Sequence, residues 1–527
     1  MPYVRRNIYS LGSEWNETVL WYARAVGEMK SRSIADPTSW RFFGAIHGID
    51  QGLWQQLGWL SGSDTLPAPQ VQAIFWNQCQ HGTWYFLPWH RGYLLSIEAI
   101  MRSWIVAQGG PADWALPYWN YMNAGQNQLP AAFASPDWPD GTGDNPLYTA
   151  ERYGPNNDGN VYVPQNMVNV NALGEADFSG PGGGGSAGFG GVVTAFSHSG
   201  RRHGDFEAQP HDYVHGLVGG EDPHSDPNNP LPGLMSDPDT AALDPIFYLH
   251  HANIDRYWGV WRTMGQTSGI ARSHMNPSQP DWLDGPALVP PVTGQATGFA
   301  VPAVDGSEMV FMPAQVADLS DVDYEYDDLS NPFATPQQNR KVRLLGAAPG
   351  AAPALRTEAP VAAQNTELMG ANDSPLKLTQ GPVETRVRLA GNVAKRVRGS
   401  LLAARAEAAP AEPDRVFLNL ENVRGLNDAK RFQVYVNGPQ APGTAAQVGQ
   451  LAGALALFGV RKATQRDGEH AGNGLDFALE ITDIVDALHL SGDADLAELQ
   501  VRIVPETPVR EADNVTIGRV SVYRQGR

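Results

Sequence analysis

The sequence predicts a multidomain α+β chain, a helical unit followed by a C-terminal β-rich domain, on three observations. Apolar residues recur at helical intervals in segments 17–32, 37–47, 88–108, 210–218 and 245–262. After them comes LLGAAPGAAPALRTEAPVAA, an alanine- and proline-rich stretch without the bulky apolar residues a core needs, which reads as a linker. Beyond it, PLKLT, ETRVRLA, RVFLNLENV, RFQVYVNG, LDFALEITDIV, LQVRIVP and VTIGRVSVYRQ alternate in the manner of a β-sandwich or barrel. The expected boundaries are 1–335, 336–374 for the linker and 375–527. With 527 residues, 42% of them apolar, the chain can support two or three packed units.

Four of the five helical segments carry a histidine argument. In 88–108, Pro88 can open a helix, and Leu94, Leu95, Ile97, Ile100, Met101 and Trp104 follow with helical period up to Gly109 and Gly110. His90 therefore sits near the helix start, pointing inward. His47 ends 37–47 on the face of Trp40 and Phe43; alone it would read as core packing, and it becomes a ligand candidate because five other histidines need a sixth. His211 and His215, four apart after Pro210, share one helical face and can grip one ion. In 245–262, Asp244 is the expected N-cap and Pro245 opens the first turn. His250 and His251 diverge by about 100° on a helix. Asp255 and Trp258 lie on the face of His251, which makes His251 the ligand candidate and leaves His250 a structural place.

The result is two trios, His47/His81/His90 and His211/His215/His251, without a matching carboxylate. All-imidazole ligation favours copper over zinc. A dinuclear zinc hydrolase would be expected to keep a bridging carboxylate and a nearby base, and HExxH is absent.

The first trio lies in CQHGTWYFLPWHRGYLLSIEAIM, with His81, then Phe86-Leu87-Pro88-Trp89-His90-Arg91, Leu94 and Glu98; the second motif has Asp244-Pro245, Phe247-Tyr248, His251 and Asp255. These residues resemble the signatures of the type 3 copper proteins: tyrosinases, catechol oxidases and haemocyanins. The resemblance implies an antiparallel four-helix-bundle dicopper core, with two copper ions held one per trio. It implies phenolic or catecholic small molecules and O2 as reactants, with ortho-hydroxylation of monophenols and oxidation of o-diphenols to o-quinones. Catechol oxidation alone and haemocyanin-like oxygen carriage are the alternatives. The chain shows no internal repeat of the kind carriers use, which favours an enzyme.

The resemblance also carries expectations for single residues. Cys79, the only cysteine, stands two before His81, where fungal tyrosinases and molluscan haemocyanins carry a thioether to the histidine ring; a buried free thiol is the plainer reading. Glu207 stands where plant enzymes hold a water and is the candidate general-base support. Asp212, often asparagine in relatives, could strengthen that water, attract an ammonium-bearing phenol, or simply favour a helix start. Gly216 and Pro238 add little bulk at the expected substrate entrance. Arg91, Glu98 and Asp255 are expected to orient the ligands or to form an ordinary interhelical salt bridge. Tyr324 and Tyr326 resemble the tyrosine pair that ends the core in plant polyphenol oxidases, and RFQVYVNG with VTIGRVSVY resembles their C-terminal domain. That domain implies a latent enzyme, capped until an activating protease cuts the linker; a stabilising or copper-loading domain is the other reading.

The formal charge of −19 argues against nucleic acid or an anionic membrane surface as partner. MPYVRRNIYSLGSEW has no apolar stretch long enough for a secretion signal and the single cysteine fits a reducing compartment, so a cytoplasmic location is expected. GPGGGGSAGFGG at 180–191 lacks GK[ST] and a leading strand, and reads as a flexible surface loop rather than a phosphate cradle. Oligomeric state is not legible.

Overall fold

The computed structural model describes residues 2–198, 200–268, 273–332, 365–405, 413–438, 449–468, 471–490 and 496–526. Its helical core is built on Phe86–Ala107, which packs against both Ile246–Ser268 and Glu17–Ser31. Local chemistry sets the helix starts. Asn16 accepts from the Val19 N–H and Ser39 from the Phe42 N–H, satisfying amides that have no partner within their helices. Asp244 does the same for Ile246 at 3.0 Å, and its carboxylate also pairs with Arg152 at 2.5 Å. Pro88 is the third residue of its helix rather than the first. It still lies in the first turn, where a missing N–H costs nothing. The helix expected over 210–218 is displaced: Tyr213–Gly219 is regular, but the turn Glu207–Asp212 leaves helical dihedrals at Gln209 (φ −143°, ψ 121°). Pro210 has no amide hydrogen with which to continue the ladder.

The strand Tyr3–Arg5 pairs in parallel with Tyr324–Tyr326 and closes the core. Arg5, fully buried, reaches Glu98 at 2.5 Å and Asp255 at 3.3 Å and lies over the Tyr324 ring at 3.5 Å. Asp255 also receives Arg91 at 2.5 Å and the hydroxyls of Tyr324 and Tyr326 at 2.5 and 2.6 Å. Arg91, Glu98 and Asp255 are thus gathered in one buried network that ties the His90 helix to the His251 helix. Its hub, Arg5, was read in the sequence only as part of the N-terminal region.

The C-terminal strands form one sheet, not the two of a sandwich. In order across it run Gln450–Ala456, Arg431–Asn437, Glu498–Pro505, Val383–Leu389, Asn365–Ala371, Thr516–Gly526, Arg415–Arg424 and Leu475–Glu480, with Leu376–Lys377 also pairing with Thr516–Gly526. Every pairing is antiparallel. Alternation reports that a strand has one buried face; it does not say whether a second sheet covers it. Asn365–Ala371 lies inside the stretch expected to be linker, because only Leu368 and Met369 among its residues are bulky and apolar. The rest of the expected linker, at 336–364, falls outside the described residues. LDFALEITDIV divides into the strand Leu475–Glu480 and the helix Thr482–Leu490, and between the strands Val383–Leu389 and Arg415–Arg424 lies the helix Gly391–Arg405. Among the described residues no helix is long and apolar enough to cross a membrane.

The two units share an interface, and the glycine-rich loop lies in it. This corrects the surface-loop expectation. Gly184 has φ +100°, and a Cβ there would stand 2.5 Å from the Tyr523 ring. Its carbonyl accepts from Asn419 Nδ2 at 2.7 Å, while the Ser186 N–H donates to Gln525 at 2.8 Å. A run of small residues is here a backbone brought flat against a sheet.

Candidate metal centre

Four helical segments and one loop deliver the histidines. His47 ends Trp40–His47, His90 lies in the first turns of Phe86–Ala107, His211 precedes Tyr213–Gly219, His215 lies within it, and His251 sits on Ile246–Ser268; His81 is on the loop before Phe86. All six are buried, and the two trios converge on one cavity. The rings of His90 and His251 stack at 4.3 Å, and those of His81 and His211 lie 5.7 Å apart. His211, His215 and His251 are within 5.5 Å of one another. Within the first trio the separations are 5.3 to 5.8 Å.

Ring orientation is fixed from behind. Nδ1 of His47, His90 and His215 faces the carbonyls of Pro238, Phe86 and Met235 at 2.8, 2.8 and 2.7 Å. A carbonyl can only accept, so each Nδ1 carries the proton and each Nε2 presents a lone pair. Nδ1 of His211 is held by Asp212 at 2.9 Å in the same manner. Nε2 of His47 and of His211 is buried with no hydrogen-bond partner, and Nε2 of His215 faces Nε2 of His251 at 3.3 Å. Burial holds all six imidazoles below their ordinary range, His90 down to about 3. Buried neutral rings with lone pairs aimed at one another are a ligand set for cations, and nitrogen-only donors suit copper.

His250 is equally buried, and neither of its nitrogens has a hydrogen-bond partner. Its ring lies 5.4 Å from His211 and 4.9 Å from His215, so it also borders the second trio. His251 alone of the pair stacks on His90 of the other trio, which favours it as the ligand. Cys79 Sγ lies 3.5 Å from Nδ1 and 3.6 Å from Nε2 of His81, nearly equidistant from the two ring nitrogens, and 3.5 Å from Nε2 of His90. Burial pushes its thiol pKa up.

Glu207 is buried beside the first trio, accepting from the Gly82 N–H at 2.9 and 3.0 Å and from the Gly204 N–H at 3.3 Å. Burial pushes its carboxyl up, against the opposing charge of His203. Asp212 is committed on both oxygens, one to His211 and the other to His203 Nδ1 at 2.6 Å. Burial works to lower His203, yet Asp212 and Glu207 outweigh it and push that ring up to about 9. His203 escaped the sequence reading, since a lone histidine outside both motifs gives no signal.

The C-terminal domain reaches into the cavity. Phe458 is buried, with its ring 4.4 Å from His215, 5.3 Å from His81 and 5.7 Å from His211. Around it, core acids meet cations of the C-terminal domain. Asp50, Asp237 and Asp239 pair with Arg461 at 2.8, 2.9 and 3.4 Å, and Asp239 pairs with Lys462 at 2.6 Å. Glu221 holds Lys430 at 2.6 Å as well as Arg510, and Glu175 holds Arg415 at 2.7 Å. Of the two expected entrance residues, Gly216 is covered by Arg431, whose Cδ would lie 3.2 Å from an added Cβ, and Pro238 lies against Gly459.

Comparison with known proteins agrees with this geometry. Residues 37–264 match the common central domain of tyrosinase, and residues 365–525 match a family described only as a domain of unknown function. The chain is 34% identical to tyrosinase HcTyr1 of Hahella sp. (strain CCB-MM4) over 99% of both chains. It is 27% identical to the chloroplastic polyphenol oxidase of Malus domestica, over 50% of this chain and 40% of that one. In fold it is similar to latent apple tyrosinase (TM-score 0.56, 19% identity, 99% of this chain and 97% of that one). A latent aurone synthase gives a TM-score of 0.57 at 19% identity, covering 99% and 89%. With a relative matched over its whole length and a cavity lined by paired imidazole trios, the chain belongs to the tyrosinase family of type 3 copper proteins, oxidoreductases that act on phenols with two copper ions.

Proposed function

We propose that this enzyme ortho-hydroxylates monophenols and oxidises o-diphenols to o-quinones, and that it is latent while its C-terminal domain is docked. The observation that carries the latency is Phe458, an aromatic ring seated against histidines of both trios. The solved structures with the same two-unit fold include proteins named as latent, which supports the reading.

His47, His81 and His90 would hold one copper ion and His211, His215 and His251 the other. When bound, the pair supplies the two-electron chemistry that activates O2 toward an aromatic ring. The chain's own residues prepare the substrate. A phenol takes the volume of Phe458, its ring against His215, with Gly216 leaving room once Arg431 has withdrawn. Glu207, pinned by two backbone amides, holds a water that accepts the phenolic proton, and its raised pKa suits a base working near neutrality. Asp212 fixes the ring of His211 with one oxygen and is itself held by Nδ1 of His203 through the other. Arg91, Glu98 and Asp255 act one layer out, keeping the two ligand-bearing helices in register.

Sγ of Cys79 beside the His81 ring supports a thioether made during copper loading, in which the Cys79 S–H and a ring C–H are lost as the S–C bond forms and O2 takes up the two electrons and two protons. Intact mass lower by two hydrogens in copper-loaded protein checks it, and an unchanged mass leaves Cys79 a buried thiol. The latency test is Phe458→Ala in the full-length chain. Turnover of an uncharged catechol should rise at least tenfold without protease, by the order of magnitude of one unblocked contact. Turnover that stays low in this variant, yet rises when the domain is stripped away, would place the block elsewhere. For the substrate range, a monophenol consumed without a lag-abolishing additive supports hydroxylation; consumption of catechols alone supports catechol oxidase.

A further inference from the structure

The segment that plugs the cavity carries more than a ring. Phe458 is followed by Gly459, whose left-handed backbone (φ +84°) turns the chain, and then by Arg461 and Lys462 on the short helix Val460–Thr464. While Phe458 lies on the histidines, Lys462 places its ammonium 2.6 Å from Asp239, and Arg461 spans Asp50, Asp237 and Asp239. Asp239 directly follows Pro238, whose carbonyl orients His47, so this ion pair lies one residue along the chain from a residue that touches the histidine cluster. The domain thus fills the site with an aromatic group and a nearby cation, each on a complementary partner.

We propose that Asp239, with Asp237 beside it, is the recognition site for the ammonium group of the preferred substrate, an aminoalkyl phenol whose ring replaces Phe458 and whose amine replaces Lys462. This rests on the reading that the C-terminal domain occupies the substrate site.

Charge bookkeeping on both sides supports it. Docking sets three core carboxylates, the buried Asp237 and Asp239 and the partly exposed Asp50, against Arg461 and Lys462, with Asp428 of the C-terminal domain also 3.6 Å from Arg461. On the core side His198 faces Asp239 at 3.7 Å. Burial, helped by Lys462, lowers the pKa of that ring, so a neutral imidazole rather than a cation faces Asp239. Burial acts to raise Asp239, but Lys462, His198 and Arg461 hold it well below the usual carboxylate range. Once the domain leaves, both cations leave with it and the carboxylates remain at the mouth. Glu175 and Glu221 lose their cations at the same time; the reverse polarity occurs at Arg201, paired with Asp476 at 2.7 Å. Asp212, the other acid considered for an amine, already serves two histidines.

The test uses the full-length chain carrying Phe458→Gly and Lys462→Ala, which empties the ring and ammonium positions together. Binding of 2-phenylethylamine, 2-phenylethanol and 3-phenylpropionate to the metal-free protein is measured by calorimetry, and turnover of tyramine and 4-(2-hydroxyethyl)phenol by the copper-loaded protein. The amine should bind about tenfold tighter than the alcohol at low salt, and the carboxylate weakest of the three. Adding Asp239→Asn should bring the amine down to the level of the alcohol. Equal binding of amine and alcohol, or an amine preference that survives Asp239→Asn, overturns the proposal. If Asp239→Asn does not fold, the salt series decides: the amine-to-alcohol ratio should fall toward one as salt rises, and a salt-independent ratio overturns it. Failure of the underlying latency reading looks different. In that case the alcohol does not bind either, and turnover of an uncharged catechol stays at the level of the unaltered chain, which overturns both.

Discussion

His251 and His250 are neighbours in sequence, equally buried, and distinguished only by where a helix points them. His251 stacks on His90, whereas His250 borders only the second trio. His251→Ala should therefore reduce copper from two ions per chain to one by metal analysis, while His250→Ala should retain both; the reverse pattern would exchange their roles. A second residue, Asp205, makes a pH-dependent claim. Ser186 offers one hydroxyl hydrogen to two carboxylates, Glu175 at 3.0 Å and Asp205 at 2.7 Å. Burial, reinforced by Glu175, pushes Asp205 from 3.8 up to about 6. A carboxyl that binds its proton more tightly when folded costs stability above its folded pKa and nothing below its unfolded one, here at most about 3 kcal/mol. Asp205→Asn should accordingly stabilise the protein against urea at pH 7.5 and leave it nearly unaltered at pH 4. A gain of equal size at both pH values would contradict the assignment.

At the scale of elements, the pieces written into contiguous motifs were legible and the pieces joined across the chain were not. The helices around His90 and His251 carry their own caps, periodicity and metal ligands, so a linear reading finds them. Arg5 could not be found that way. Its partners Glu98 and Asp255 come from two distant helices, and MPYVRRN contains nothing that separates a buried arginine from a solvated one. Arg5→Ala leaves Glu98 with Arg102 and the Leu116 N–H, both on its other oxygen, and strips a guanidinium from the Tyr324 face. The loss should be about 3–5 kcal/mol in denaturant unfolding, the range for breaking one side of a buried ion pair. A loss below about 1 kcal/mol would mean the network is solvated. The strand Gln450–Ala456 was equally hidden, since Gln-Leu-Ala-Gly-Ala-Leu-Ala has little β-propensity and owes its place to its neighbour Arg431–Asn437. Phe458, two residues beyond that strand, is not singled out by the sequence. Nothing local distinguishes a residue that completes its own domain's core from one that enters another's.

For the whole molecule, the interface decides how activation works. It combines ion pairs in which Arg415, Lys430, Arg461, Lys462 and Arg510 meet the buried carboxylates of Glu175, Glu221, Asp237 and Asp239 with the glycine-rich loop laid against the sheet. Removing one partner of such pairs is costly because a buried charge is left behind. A cut between the units therefore should not be sufficient. Nicked protein should co-elute as one species at low salt and stay latent, then separate and become active in high salt or mild denaturant. Immediate activation on nicking, with separated fragments, would show that the covalent link rather than the interface holds the cap. The sheet strand Asn365–Ala371 sets a further limit: a cut within it should destabilise the C-terminal domain rather than release it intact.

The activity and its latency rest on two copper ions side by side in one cavity, each held by three imidazoles, with Phe458 above them. Anomalous scattering at the copper edge from crystals of the full-length, copper-loaded protein measures this directly. Two peaks are expected, one within His47/His81/His90 and one within His211/His215/His251, with the Phe458 ring over both. A single peak, or a peak held by His250 with His251 turned away, would contradict it.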